Sequence, residues 1–362
     1  MPHYFFTRWT SKALQRVAML SAAVLMSACA GPTTNAASGD TVSLMTFNVQ
    51  NLFDTRDDAG KNDETYLPLS MKQSAEHKAG CAKIDVARWR SECEDWDWSE
   101  AVLAQKLTVI AESIQQLNDG LGADIIVFQE VENLDVLERL RTEYLGASGY
   151  LPAVLLEGSD RRGIDVAFLS RLPVIGTPSL HKIPFTGFPD ERIDDTRGIL
   201  QAEFRLPNGD SLTGFAVHFP APYHPAEMRE QAYGFLRELQ AALPADRASF
   251  AAGDFNTTST EIAKRDTMER LVRPHWRIAH EMGCAACKGT HYYGRDDNWS
   301  FLDMILFAPG STNTWSLDPA SVAIANDTPA QNTRAGTPAR FRLPEASGVS
   351  DHWPLTVSIR AR

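Results

Sequence analysis

The chain has 362 residues, 43% of them apolar, and a formal net charge of −11. That suits one large α/β domain or two small ones, with ample material for a core. An acidic balance without a basic stripe excludes tight, nonspecific nucleic-acid binding. It leaves a phosphodiester substrate open, because a bound divalent cation would neutralise charge locally.

Arg8, Lys12 and Arg16 precede an apolar run from Val17 to Met26 that is too short to span a bilayer as a helix. Met26-Ser27-Ala28-Cys29 resembles a bacterial lipoprotein signal, in which the cysteine is lipidated and becomes the new N-terminus. Ala28-Cys29-Ala30 also reads as an ordinary signal-peptidase site, which would release a soluble periplasmic or secreted protein. Lipidation at Cys29 is the favoured reading. Residues 1–28 then form a lipoprotein-type signal peptide and residues 29–41 a flexible tether. The expected address is the cell envelope, with a lipid anchor as the membrane contact and no protein partner implied. Ala30, where an acid is associated with inner-membrane retention, points to the outer membrane. Loss of the three leader cations takes the mature charge to −14.

Five cysteines leave an odd one, which a lipidated Cys29 accounts for. The other four suggest two disulfides in an exported protein; of the three pairings the sequence permits, Cys81–Cys93 with Cys284–Cys287 is the one expected. The first would contribute about 3 kcal/mol in the chain-entropy model. A four-cysteine zinc site or a redox C-x-x-C competes with this reading. The 12-residue spacing of the first pair is wrong for a zinc ribbon, and no thioredoxin-like pattern surrounds the second.

From about residue 42 to 362 the chain reads as one α/β domain with mixed sheets and insertions near 54–98 and 309–347. Val42 to Phe47 is the first strand. The polar insertion after it carries Cys81, Cys93 and three tryptophans, which implies an ordered lobe. Leu103, Leu107, Ile110, Ile114 and Leu117 recur at helical spacing within Ser99–Leu117, and Asp124–Gln129 follows as a buried strand. A short helical pattern covers Leu134–Leu140. Asp165–Leu169 is a strand, and Ile199–Phe219 is a hairpin turning at Asn208-Gly209. Pro225 opens a helix to Leu243, with Met228, Ala232, Phe235 and Leu239 on one face. Strands end the chain at Leu302–Phe307 and Trp353–Ile359. The Pro/Ala/Thr/Asn-rich stretch from Pro309 to Ser347 reads as a long loop.

The stretch Ser249–Thr257 (S-F-A-A-G-D-F-N-T) organises the rest. Residues two apart in an extended chain face the same way, so Asp254 and Asn256 should leave a buried strand aimed at one spot. A carboxylate beside an amide suits holding and polarising a water. Gly253 should let the backbone turn and leave room there. Alone, the pattern is also that of a strand followed by an Asx-rich turn. Asn48, Glu130, His218, Asp303, Asp351 and His352 likewise sit at the ends of apolar runs. Glu130 could instead cap a helix, and His218 could be a satisfied core histidine. Asp303 lies within W-S-F-L-D-M-I-L-F, where a carboxylate must find a partner or become neutral. His352 is the candidate partner, since a buried Asp fixes a His tautomer and favours the imidazolium.

Seven elements in order resemble the endonuclease/exonuclease/phosphatase superfamily, which includes deoxyribonuclease I, exonuclease III-type enzymes, inositol polyphosphate phosphatases and sphingomyelinases. They are T-F-N at Asn48, F-Q-E at Glu130, R-R-G-I-D-V-A from Arg161, V-H at His218, G-D-F-N at Asp254 and Asn256, L-D at Asp303, and S-D-H from Ser350. The resemblance implies a four-layer α/β sandwich, two packed mixed sheets flanked by helices. It implies Glu130 as principal ligand of Mg²⁺, or of Mn²⁺, with Asn48 and Asp351 holding the metal or its waters. Asp254, assisted by Asn256, would activate water. His218, and His352 paired with Asp303, would contact the scissile phosphate.

Gln50 stands where some abasic-site nucleases carry an acid, and Thr257-Thr258 replaces the aromatic-Arg of inositol phosphatases. The resemblance is strongest to exported bacterial nucleases. The expected function is an exported metal-dependent phosphodiesterase acting on nucleic acid, with Arg162, Arg192, Arg197 and Arg342 as candidate groove residues. A phosphomonoesterase or lipid phosphodiesterase on the same site is the alternative, and a non-catalytic envelope-binding protein a third reading.

Overall fold

The computed structural model describes residues 39–362; the leader, Cys29 and most of the tether lie outside them. Two six-stranded mixed sheets form its centre. In chain order the strands are β1 (Thr41–Leu52), β2 (Ile125–Val131), β3 (Val154–Leu155), β4 (Asp165–Ser170), β5 (Val174–His181), β6 (Ile199–Arg205) and β7 (Ser211–His218). Then come β8 (Ala248–Asp254), β9 (Arg277–Ile278), β10 (His291–Tyr293), β11 (Asn298–Ser300), β12 (Asp303–Ala308), β13 (Trp315–Ile324) and β14 (Leu355–Ala361). One sheet has the order β13-β14-β1-β2-β4-β3 and the other β5-β6-β7-β8-β12-β9, with β10 and β11 a separate hairpin.

Period-two alternation explains the layering. On β2, Ile125 and Val127 face the space between the sheets, while Ile126 and Phe128 face outward into a second cluster. On β12, Ile305 and Phe307 face inward, and Met304 and Leu306 outward. Both faces of each sheet are therefore apolar, and each outer face needs a cover. Among the described residues three α-helices precede β2: α1 (Ala75–Cys81), α2 (Ala87–Asp95) and α3 (Glu100–Gln115). Leu103, Leu107, Ile110 and Ile114 of α3 cover the first sheet. Met228, Ala232 and Leu236 of the helix Ala226–Ala241 cover the second. Between the sheets Phe168 meets Phe204 and Phe250 edge-on, with ring centroids 5.3 and 6.3 Å apart. The result is the four-layer α/β sandwich that the resemblance implies.

The first insertion is the ordered lobe expected. Disulfide Cys81–Cys93 joins the end of α1 to α2 with Cα atoms 5.7 Å apart, and Trp98 is buried with its Nε1 donating to Phe53 O at 3.1 Å. Cys284 and Cys287 pair as well. The stretch 309–347 is not one long loop. It contains β13, an edge strand whose pairing with β14 slips between Asp318 and Ala323, so its alternation breaks and its pattern reads as coil. Among the described residues no helix is long and apolar enough to cross a membrane.

Candidate active site

Strand direction assembles the site. β1 pairs parallel with β2 in one sheet and β7 parallel with β8 in the other, so Asn48, Glu130, His218 and Asp254 all leave C-terminal strand ends. β14 runs antiparallel to β1 and β12 antiparallel to β8, which brings Asp351, His352 and Asp303 to the same edges from N-terminal strand ends. His218 is in register with Asp254, and Asp254 with Asp303.

Asn48 ties the two sheets together. Its Nδ2 donates to Glu130 Oε1 at 3.3 Å and, across the interface, to Asp254 Oδ2 at 3.2 Å. Its Oδ1 accepts from Gln50 N at 3.0 Å, so the amide presents a donor to the two carboxylates. His218 Nε2 stands 3.6 Å from Asp254 Oδ2 and 4.0 Å from Glu130 Oε1. His352 Nε2 is 4.0 Å from the same Asp254 oxygen, and its Nδ1 meets Asp303 Oδ2 at 2.7 Å. Ser350 Oγ donates to Asn48 O at 2.7 Å and accepts from His352 N, locking the S-D-H segment onto β1.

The rim is built from strained backbone. Gln50, Asn51, Glu130 and Asn256 all have φ between 52° and 63°. Each such residue costs about 1–3 kcal/mol and persists only where its surroundings hold it. Glu130 interrupts the register between Gln129 and Val131, which re-aims its carboxylate, and Asn51 N reaches Glu130 Oε2 at 3.0 Å. The left-handed turn at Asn256 overturns its predicted alignment with Asp254. Asn256 N donates to Asp254 Oδ1 at 2.8 Å, while its Nδ2 turns to Phe219 O. Asn256 therefore orients Asp254 through its backbone. Nor does Gly253 make a turn. It lies within β8 at φ +149°, where a Cβ would come within 1.9 Å of Val217 O on β7.

Burial divides the carboxylates. The Asp254 and Asp303 side chains are 2% and 0% exposed, against 17% for Glu130 and 26% for Asp351. Burial pushes the Asp254 carboxyl up to about 7, opposed by the His352 charge and reinforced by Asp303. Burial also pulls on His352, but Asp303, through its charge and hydrogen bond, holds the imidazolium well above the ordinary histidine range. His218 is driven the other way, by burial and then by the Arg197 and Arg162 charges, and is neutral. Asp351 stays below the usual carboxylate range: burial opposes this, and His352, Arg340 and His291 outweigh it.

Sequence reasoning missed several residues here. His291 forms a bridge to His352, their rings 4.9 Å apart, and clusters with Asp351 and His352. Arg340 Nη1 lies 3.6 Å from Asp351. Neither carries a pattern signal: Arg340 reaches the site from a loop, and His291 opens the three-residue strand β10, too short to show alternation. Lys106 did carry one: it sits on the apolar face of α3 and is fully buried, donating to Val349 O at 2.7 Å. Of the arginines proposed for a groove, Arg197 is buried against Asp160 at 3.0 Å and supports the scaffold. Arg342 and Arg192 line separate clefts of about 330 Å³ each. One contains Gln50, Trp96, Arg340 and Phe341; the other contains Asp195, Tyr223 and His224. The Arg162 charge acts on His218, and its Nε has no hydrogen-bond partner among the described residues.

Residues 45–352 match the sequence profile of the Endonuclease/Exonuclease/phosphatase family. The chain belongs to this family. Its members are divalent-metal-dependent phosphoester hydrolases. Solved structures of the same fold include humanized TDP2 of D. rerio, 13% identical with a TM-score of 0.55, covering 88% of this chain and 98% of that one. A family protein of Bacteroides thetaiotaomicron is 15% identical with a TM-score of 0.53, covering 89% and 98%. A mannosyl-6-phosphatase of the same organism is 16% identical with a TM-score of 0.53, covering 88% and 99%. No curated protein sequence matches the chain. The donor set fits the family's metal. Glu130 and Asp351 are the site's solvent-open carboxylates, as a hard and still hydrated cation requires.

Proposed function

We propose that this family member hydrolyses phosphodiester bonds of nucleic acid, with Mg²⁺ as its cation and Mn²⁺ as a substitute. One observation carries the choice of a diester chain: two separate clefts each offer arginine beside an aromatic ring, and residues of each act on groups of the catalytic set. Gln50 and Arg340 link one cleft to Asn48 and Asp351, and Tyr223 and Asp195 link the other to Arg162, whose charge acts on His218. A polymer extends to both sides of the scissile phosphorus, and bases stack on aromatic side chains with cations along the backbone.

Glu130 and Asp351 would hold the cation, whose charge offsets that developing on the phosphate oxygens. Asp254 takes a proton from the attacking water; a carboxylate pushed up to about 7 is matched to that task near neutral pH. Asn256 N and Asn48 Nδ2 hold its two oxygens in place. His352, kept protonated by Asp303, donates from Nε2 to a phosphate oxygen. Neutral His218 donates a second hydrogen bond and adds no further buried charge. Export with lipidation at Cys29 remains part of the reading, supported by the two disulfides.

The test is to incubate the purified chain and Mg²⁺ with plasmid DNA, single-stranded DNA, RNA, sphingomyelin and an inositol polyphosphate, each with an EDTA control. EDTA-sensitive cleavage of nucleic acid is the expected result. Release of phosphate or head group alone would move the activity to a phosphomonoesterase or lipid phosphodiesterase.

A further inference from the structure

A second group of acids lies outside the catalytic set. Asp58, Asp63 and Glu132 bring one carboxylate oxygen each within 4.8 Å of one another. Asp63 and Glu132 are 1% and 3% exposed, yet Asp63 Oδ1 and Glu132 Oε1 have no hydrogen-bond partner among the described residues. Their other oxygens are engaged: Asp63 Oδ2 accepts from Asp58 N at 2.9 Å, and Glu132 Oε2 from Asp54 N at 2.6 Å. The charges that act most strongly on these two groups are negative. Asp57 and Glu64 act on Asp63; Asp54, Asp58 and Asp63 act on Glu132. Asp54, close by, differs in having Arg56 as its partner at 2.6 Å. A buried carboxylate oxygen without a donor is costly, and two facing each other more so.

We propose that Asp58, Asp63 and Glu132 form a structural Ca²⁺ site, distinct from the catalytic centre. The ligands are all oxygen, which selects a hard cation. A cation with 2.3–2.6 Å bonds spans oxygens up to about 5 Å apart, whereas Mg²⁺ demands tighter octahedral geometry and keeps its waters. The ligands come from both sides of a junction. Asp58 and Asp63 belong to the turn that begins the 54–98 lobe, where Lys61 N closes onto Asp58 O at 3.0 Å. Glu132 follows β2, two residues beyond Glu130. A cation here would fasten the lobe to the strand that presents the catalytic carboxylate.

Calcium binding is measured by titration calorimetry on the full chain carrying Glu130→Gln, which removes the principal ligand of the catalytic centre without touching this cluster. One Ca²⁺ per chain is expected, with a rise in melting temperature of about 5 °C at saturation. Adding Asp63→Asn should abolish both. Because the amide removes a negative charge, the Asp63→Asn chain should melt no lower than its parent in EDTA, which separates a lost site from a lost fold. Absence of Ca²⁺ uptake in Glu130→Gln, or a melting shift that survives Asp63→Asn, would overturn the proposal. Since no substrate is used, the result is independent of whether the enzyme proves to be a nuclease.

Discussion

The layer between the two sheets and the edge where those sheets open are built on opposite rules. In the layer, Phe168, Phe204 and Phe250 sit in ordinary strand geometry, alternate strictly and carry no polar atom. At the edge, four non-glycine residues hold positive φ, two carboxylates are buried, and one imidazolium is kept charged beside one kept neutral. A few residues separate the two along the same strands: β8 runs from Phe250 to Asp254. The difference teaches that the layer supplies the stability which tolerates the edge, and that mutations in the two should have separable effects.

Asp254→Asn is the sharpest way to test that division. It should lower kcat by about 10³-fold, within the range general-base removal produces. Its melting temperature should not fall, because the amide removes a buried charge whose desolvation, reinforced by Asp303, outweighs its attraction to His352. Unchanged turnover would remove Asp254 from the chemistry. Phe168→Ala should do the reverse, costing about 3–5 kcal/mol in denaturant unfolding while leaving kcat of the folded enzyme near its starting value. A large loss of kcat with little loss of stability would mean that the layer and the edge are not independent.

A subtler separation lies in the pH–rate profile. Activity should rise as pH climbs through about 7, where Asp254 loses its proton, and fall in the alkaline range, where His352 loses its own. Asp303→Asn removes the charge that holds the imidazolium, so the alkaline limb should move toward neutral pH, and the acidic limb should move to lower pH because Asp303 no longer reinforces the upward push on Asp254. An alkaline limb that stays in place would show that Asp303 does not set the charge of His352.

Several parts of this arrangement were legible in the chain. A carboxylate in the middle of W-S-F-L-D-M-I-L-F had to be paired, and Asp303 meets His352 at 2.7 Å. The helix predicted from Ser99 to Leu117 covers the first sheet with the stripe that begins at Leu103, because 3.6-residue periodicity is a property of the sequence itself. Other parts were not legible. The extended geometry assumed for Asp254 and Asn256 fails because the chain turns left-handed at Asn256, where Phe219 O takes its amide. Arg197 reads like any surface cation until Asp160 buries it. β5 has no sequence signature, since an edge strand with Gly176, Pro178 and a half-exposed face lacks clean alternation.

The sequence by itself determined the α/β class and the helices that cover the sheets, set by local periodicity, and it marked the strand-end polar residues, set by a residue's intolerance of burial alone; of the three disulfide pairings it permits, the structure holds the expected one. Only the tertiary structure decided that Asn48 would bridge the sheets, that His218 and His352 would carry different charge states around one carboxylate, and that Asp63 and Glu132 would come together beside Asp58. Each of these depends on distances between strands far apart in the chain, and on the dielectric and neighbouring charges that burial creates, which no window of residues contains.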